Sequence, residues 1–146
     1  MIKVLKYPHR RLARKSTPVK SMAEARQILK KLDDAIAEQV WGKVLGFAAP
    51  QIGIDKRVFR ASGIGYINPE IVWMSKGWNY CHEGCYSLEQ GRYDYEVVRQ
   101  HSLILKWTDE GGVDHEERFN GKRAQIIQHE YDHLEGKLAN SAEEAK

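Results

Sequence analysis

Apolar residues recur at helical spacing from Ala25 through Ile28, Leu29, Leu32 and Ile36 to Val40. They fall on one face of a 3.6-residue repeat and predict an amphipathic helix up to about Trp41, its aliphatic stripe facing the core. Ser21 followed by Glu24 has the form of a capping box at its start, and Gly42 marks its stop. From Arg57 to Phe119 the pattern shortens to strand-like runs. Residues 58–60, 65–67 and 71–74 predict strands, with Asn68-Pro69 as a turn between the last two. Residues 93–98, 102–107 and 113–119 predict three more, the last pair joined by a hairpin turn at Asp109-Glu110-Gly111-Gly112. Asn120 is placed to cap a second helix from Gly121 to about Glu135, and Gly136 to end it. The expected class is α+β: short, mostly antiparallel strands packed around the second helix, with a long N-terminal helix.

Composition narrows this picture. A chain of 146 residues suits one domain, residues 1–146, around one hydrophobic core. Residues 137–146 carry no strong apolar face and are expected to form a weakly ordered tail. Charged residues at 29% and apolar ones at 42% exclude a disordered or membrane protein. No apolar run is long enough to span a bilayer, and residues 1–6 lack the pattern of a signal peptide. The expected compartment is cytoplasm, where Cys81 and Cys85 stay reduced. The net charge of +3 is modest, and its densest basic stretch, from Arg10 to Lys20, reads as solvated surface rather than a DNA footprint. No surplus apolar stripe calls for a partner, so a monomer is expected.

The chemistry concentrates in the second helix. His129-Glu130-Tyr131-Asp132-His133 spells H-E-x-x-H. Histidines at i and i+4 share a helical face and can reach one metal ion, with Glu130 beside it to take a proton from water. A catalytic site needs a third ligand. Cys85, in Glu83-Gly84-Cys85-Tyr86-Ser87, is the first candidate, because Gly84 permits a sharp turn or close backbone approach. Cys81 is the alternative, or it joins Cys85 and both histidines in a closed four-ligand site, which leaves Glu130 without a task. His82 adjoins the ligand loop and reads as an exposed strand-end residue; His9, His101 and His115 read as surface. Between the first helix and first strand, Gly46 to Gly53 is rich in small residues, and the Gln51 amide can donate to an oxygen gaining charge in a transition state.

Gly-x-Ala-Ala-Pro-Gln at 46–51, Glu-Gly-Cys-x-Ser at 83–87 and Gln-His-Glu-x-x-His at 128–133, in that order, closely resemble the peptide deformylases. The likeness extends through Val4-Leu5, Pro8, Leu12, Val19 and Ile67-Asn68-Pro69. It implies a metal-dependent hydrolase that removes the formyl group from the N-terminal formylmethionine of new polypeptides. On this resemblance Cys85, His129 and His133 bind one divalent ion, natively ferrous iron, with zinc, nickel or cobalt as substitutes. Glu130 acts as general base on metal-bound water and then as proton donor. Gln51 and the Tyr86 N–H hold the formyl oxygen. Leu45, Gly46, Glu83 and Ile126 are expected at the substrate, and Arg92 supports the loop through a charged pair with Glu83. The partners implied are nascent formylmethionyl peptides and, transiently, the ribosome. Three features depart from the family pattern: Val44 where glycine is usual, Tyr86 where leucine is frequent, and Lys122-Arg123 where aliphatic residues are common.

Overall fold

The computed structural model describes residues 2–39, 45–85, 87–88 and 95–138. The Ser21 hydroxyl accepts the Glu24 N–H at 3.1 Å, and helix α1 runs Met22–Ala37. It stops short of the expected end. The Gln39 side-chain amide donates to the Ala35 carbonyl at 2.8 Å, taking the acceptor that a further helical turn would use. Val40, Trp41 and Gly42 lie outside the described residues.

Seven strands follow among the described residues: β1 (Gly46–Ala48), β2 (Val58–Ala61), β3 (Ile64–Met74), β4 (Trp78–Glu83), β5 (Tyr95–Gln100), β6 (Ser102–Thr108) and β7 (Asp114–Asn120). They form a five-stranded sheet in the order β1-β2-β3-β6-β7 and a two-stranded sheet, β4-β5, with every ladder antiparallel. The class is α+β, as expected. Asn68-Pro69 is not a turn but a bulge inside β3, where the pairing with β6 shifts register between Ile67 and Glu70. Asn68 takes φ 48° and clasps Val19, accepting its N–H at 2.9 Å and donating to its carbonyl at 3.1 Å. Pro69, with no N–H to give, fits where the ladder is broken. Strand β4 escaped the sequence reading because its outward residues include Trp78 and Tyr80, 48% and 61% exposed, which reverses the usual apolar-in alternation.

The sheet is covered on both sides near β1 and β2. Val58 and Phe47 pack with Ile28, Leu29 and Leu32 of α1. Phe59 and Ala61 pack with Ala124, Ile127 and Leu134 of the second helix, α2 (Gly121–Leu134). All four residues of β2 are therefore buried. Asn120 sits at the N-cap position but does not cap α2 with its side chain. Its Oδ1 accepts instead from Ser102 Oγ at 2.7 Å and Arg118 Nε at 3.1 Å.

The other end of α2 is pinned. The Leu134 carbonyl accepts from Ser16 N–H, Ser16 Oγ and Arg57 at 2.8, 2.9 and 3.1 Å. Gly136 ends the helix as expected, at φ 77° and so close to Ala13 that a Cβ would lie 2.6 Å from its carbonyl oxygen. Leu138, assigned by sequence to a weakly ordered tail, is 5% exposed and packs with Leu12, Cys85, Leu88 and Val97. Residues 139–146 lie outside the described ones. No described helix is long and apolar enough to cross a membrane.

Candidate metal centre

Helix α2 sets His129 and His133 one turn apart, and Gly84 carries the chain from β4 into Cys85, which is buried. The ligand atoms of these three residues lie within 4.8 Å of one another, and Cys85 Sγ is 3.4 Å from His133 Nε2. Bond lengths of about 2.0–2.3 Å in a tetrahedral site separate ligand atoms by roughly 3.3–3.8 Å, so the set closes on one ion with small side-chain adjustments. Thiolate with two imidazoles is a donor set for a borderline divalent cation. Cys81 is not in this group. Its sulfur lies 3.9 Å from the Asn79 carbonyl of its own strand, and burial raises the thiol pKa. The closed four-ligand site is not formed among the described residues.

His129 is oriented by Glu83: its Nδ1–H donates to Oε1 at 2.7 Å, which leaves Nε2 for the ion. Arg99 grips both oxygens of Glu83 at 2.7 and 2.9 Å and donates also to the Asp132 carboxylate, while Gln125 reaches Oε2 at 3.2 Å. Burial pushes the Glu83 carboxyl up, but the hydrogen bonds and charges of Arg99 and His129 outweigh it and hold it well below the carboxylate range. Burial likewise opposes charge on His129, yet hydrogen bonds to Cys85 and Glu83 raise it well above the ordinary histidine value. His133 goes the other way. Burial, with the charges of His129 and Arg99, keeps it a neutral imidazole, the form that ligates a metal. Its Nδ1 is buried without a partner among the described residues.

Glu130 is 4% exposed, and its Oε1 has no described partner. The other oxygen lies against β1, where a Cβ at Gly46 would sit 2.7 Å away. Burial lifts this carboxyl to about 7, against the lowering charge of His129. A group poised there can take and return a proton near neutrality. Gln51 lies in the 3₁₀ turn Ala49–Ile52. Its Oε1 accepts the Ala48 N–H at 2.9 Å, which directs its NH₂ to Cys85 Sγ and Ser87 Oγ, both at 3.3 Å.

Other expected residues are less closely assembled. Leu45 is 42% exposed at the entry to β1, and Ile126 is half-buried against the core cluster around Phe119. Glu83, grouped by sequence with substrate contacts, spends its carboxylate on three side chains of the scaffold. Its arginine among the described residues is Arg99; Arg92, Tyr86 and Val44 lie outside them. Arg99, Gln125 and Asp132 were missed by the sequence reading. The available signal was alternation: Val97 and Arg99 share the inward face of β5, and a buried arginine there implies a buried acid opposite.

Residues 1–144 match the family described as polypeptide deformylase. Peptide deformylase 1 of Rickettsia conorii is 32% identical over 152 aligned residues, covering 94% of this chain and 85% of the relative. The structure of the Plasmodium falciparum peptide deformylase in complex with an inhibitor superposes with a TM-score of 0.86 at 31% identity, covering 96% of this chain and 88% of that one. A probable peptide deformylase from Synechococcus phage S-SSM7 gives 0.85 at 28% identity, covering 97% and 99%. Agreement along nearly the whole sequence and fold leaves one assignment: the chain belongs to the peptide deformylase family of hydrolases.

Proposed function

We propose that this protein hydrolyses the N-formyl group from the N-terminal formylmethionine of newly made polypeptides, as a single catalytic domain acting as a monomer in the cytoplasm. The observation that supports this most is the buried Glu130 carboxylate, set against Gly46 of β1 beside the convergent Cys85, His129 and His133. These three residues would hold one divalent cation, ferrous iron natively and zinc, nickel or cobalt as substitutes. When bound, the cation supplies Lewis acidity that makes water a nucleophile near neutral pH and draws charge from the formyl oxygen.

The chain's own groups do the rest. Glu130 takes a proton from the attacking water as its oxygen bonds to the formyl carbon. The Gln51 NH₂ donates to the formyl oxygen as it gains negative charge, with the Tyr86 N–H as the second donor implied by the family resemblance. Glu130 then passes the proton to the amide nitrogen as the C–N bond breaks, releasing formate and a free amine. Gly46 offers backbone hydrogen bonds to the peptide, and Leu45 and Ile126 give apolar contact to the methionine side chain. Glu83, held by Arg99, keeps the His129 ring in place throughout.

The test is formate release from formyl-Met-Ala-Ser by anaerobically purified protein, beside Glu130→Gln carrying equal metal. Release by the unmodified protein alone is the expected result. Absence of release from metal-loaded protein overturns the reading.

A further inference from the structure

The chain has 23 lysines and arginines against 20 acids, and seven of the former but none of the latter fall in residues 1–23. The rest of the chain is net negative, so the positive charge of the molecule is concentrated in one segment. By sequence its densest part, Arg10 to Lys20, reads as solvated surface. In the fold its backbone is pinned. Arg10–Ala13 is a 3₁₀ turn whose inward residue, Leu12, is 2% exposed against Cys85, Leu88, Val97 and Leu138. His9 Nδ1 accepts the Arg11 N–H at 3.2 Å, and the Arg11 guanidinium donates to the Gly53 carbonyl at 3.2 Å. Upstream, the Leu5 N–H donates to the Gln51 carbonyl and the Tyr7 N–H to the Ser87 carbonyl, both at 2.7 Å. The cations therefore stand beside the loops that carry Gln51 and Cys85.

Lys6, Arg10, Arg11, Arg14 and Lys15 are all exposed, and Gly136, packed on Ala13, places the exposed Lys137 next to them. The nearby acids are engaged elsewhere. Glu38 accepts the Ile2 N–H with both oxygens, at 2.9 and 3.2 Å. Glu135 is held by Arg57 at 2.8 Å and approaches Lys15 only at 3.9 Å. Asp55 meets Thr17 through its backbone carbonyl. Among the described residues no carboxylate pairs with Arg10, Arg11 or Arg14. Like charges three and four residues apart repel and cost stability, so this row calls for a counter-charge from outside the chain. Guanidinium forks suit phosphate oxygens. Tyr7 is the large apolar side chain exposed in residues 2–20, too little to seat the segment in a bilayer, which takes a broad apolar face.

We propose that Lys6 to Lys15, with Lys137, form an RNA-docking surface that grips the phosphate backbone without reading sequence. The cationic heads of Arg10, Arg11, Arg14 and Lys15 contact phosphate oxygens and displace condensed counterions. RNA is the polyanion beside which a newly made polypeptide emerges, and to that extent the choice of partner rests on the deformylase reading above.

The test is fluorescence anisotropy of a labelled RNA hairpin titrated with the metal-loaded full chain from about 50 to 200 mM salt. Binding is expected, with log K falling linearly in log salt concentration. Arg10→Gln with Arg14→Gln is expected to weaken it about tenfold at the low end and to reduce the salt slope by about two, one for each phosphate contact. Should that variant fail to fold, Lys15→Gln with Lys137→Gln takes its place with the same expectation. The equal charge change at Lys30→Gln with Lys31→Gln, exposed on α1, is expected to leave affinity and slope nearly unchanged. Formate release from formyl-Met-Ala-Ser is expected to be the same in all of these, which reads folding and deformylation apart from docking. Absence of salt-dependent binding, or equal weakening by the α1 variant, overturns the surface. Tighter binding to a DNA duplex of matching sequence, to polyglutamate or to phosphatidylglycerol vesicles than to the RNA overturns RNA as its partner. Binding that behaves as expected in a protein that releases no formate upholds the surface and overturns the deformylase reading alone.

Discussion

The Nδ1 atom of His129 sits 2.7 Å from Oε1 of Glu83, and Arg99 clasps both oxygens of that same carboxylate. Ring orientation and tautomer of one candidate metal ligand are thereby set from β4 and β5, not from the helix that carries it. Losing such a partner typically weakens metal affinity ~10–100-fold. Glu83→Gln keeps the size and loses the charge, and is expected to weaken binding by about that factor in competition with a chromogenic chelator. Unchanged affinity would show that α2 alone orients the ring.

Arg99 is expected to matter for stability as much as for the site. Its side chain and that of Glu83 are each 5% exposed, so Arg99→Ala strands a buried carboxylate. Breaking a buried pair from one side costs ~3–5 kcal/mol. Urea unfolding should show a loss of that order, and adding Glu83→Gln to Arg99→Ala should recover part of it. A loss below ~1 kcal/mol would mean water reaches the carboxylate freely.

Asp109 gives a pH dependence away from the candidate metal centre. A hydrogen bond from His115, with the backbone N–H groups of Val113 and Gly111, lowers its carboxyl pKa. A group depressed in the folded state stabilises above its unfolded value, near ~3.9, and that contribution is lost as pH falls through the folded value. Asp109→Asn should therefore lower Tm modestly at pH 7, and the gap to the unmodified protein should shrink as pH drops below about 4. A gap that stays constant with pH would show that the amide loses only geometry, not charge.

Gln51 is tied at both ends of its amide. Removing one oxyanion donor typically costs ~2.7–4 kcal/mol of activation energy, about a hundred- to a thousandfold in kcat. Gln51→Ala is expected to lose turnover to that extent while metal content stays at one per chain. It should also lose ~1–3 kcal/mol of stability, because the buried Ala48 N–H loses its acceptor. Near-normal kcat in this variant would remove Gln51 from the mechanism.

Much of this was legible in the chain. The Ser21 cap, the α1 stripe and the alignment of His129 with His133 follow from local periodicity, which sequence spacing reports directly. What was hidden depends on non-local partners. The Asn68-Pro69 bulge requires Val19 to occupy the asparagine side chain, and Asn120 gives up capping because Ser102 and Arg118 claim its oxygen. Strand β4 turns its aromatics outward, so alternation could not place it. Arg99 pairs with Glu83 across two elements, a contact 16 residues apart that no spacing rule encodes.

Gly46 is the tightest point between β1 and the site. A Cβ there would lie 2.7 Å from both the Arg60 carbonyl oxygen and Glu130 Oε2, with Glu130 Cδ at 3.1 Å. The Arg60 carbonyl belongs to the β1–β2 ladder and cannot retreat without breaking pairing, so the methyl group must displace Glu130. That side chain is buried and has little room to move elsewhere. A misplacement near 1 Å costs on the order of a hundredfold in rate. Gly46→Ala is expected to lose kcat by about that factor while binding metal within a few-fold of the unmodified protein, as read by formate release and metal analysis on the same sample. Full activity would mean that β1 yields to the methyl group and that its backbone does not set the position of Glu130.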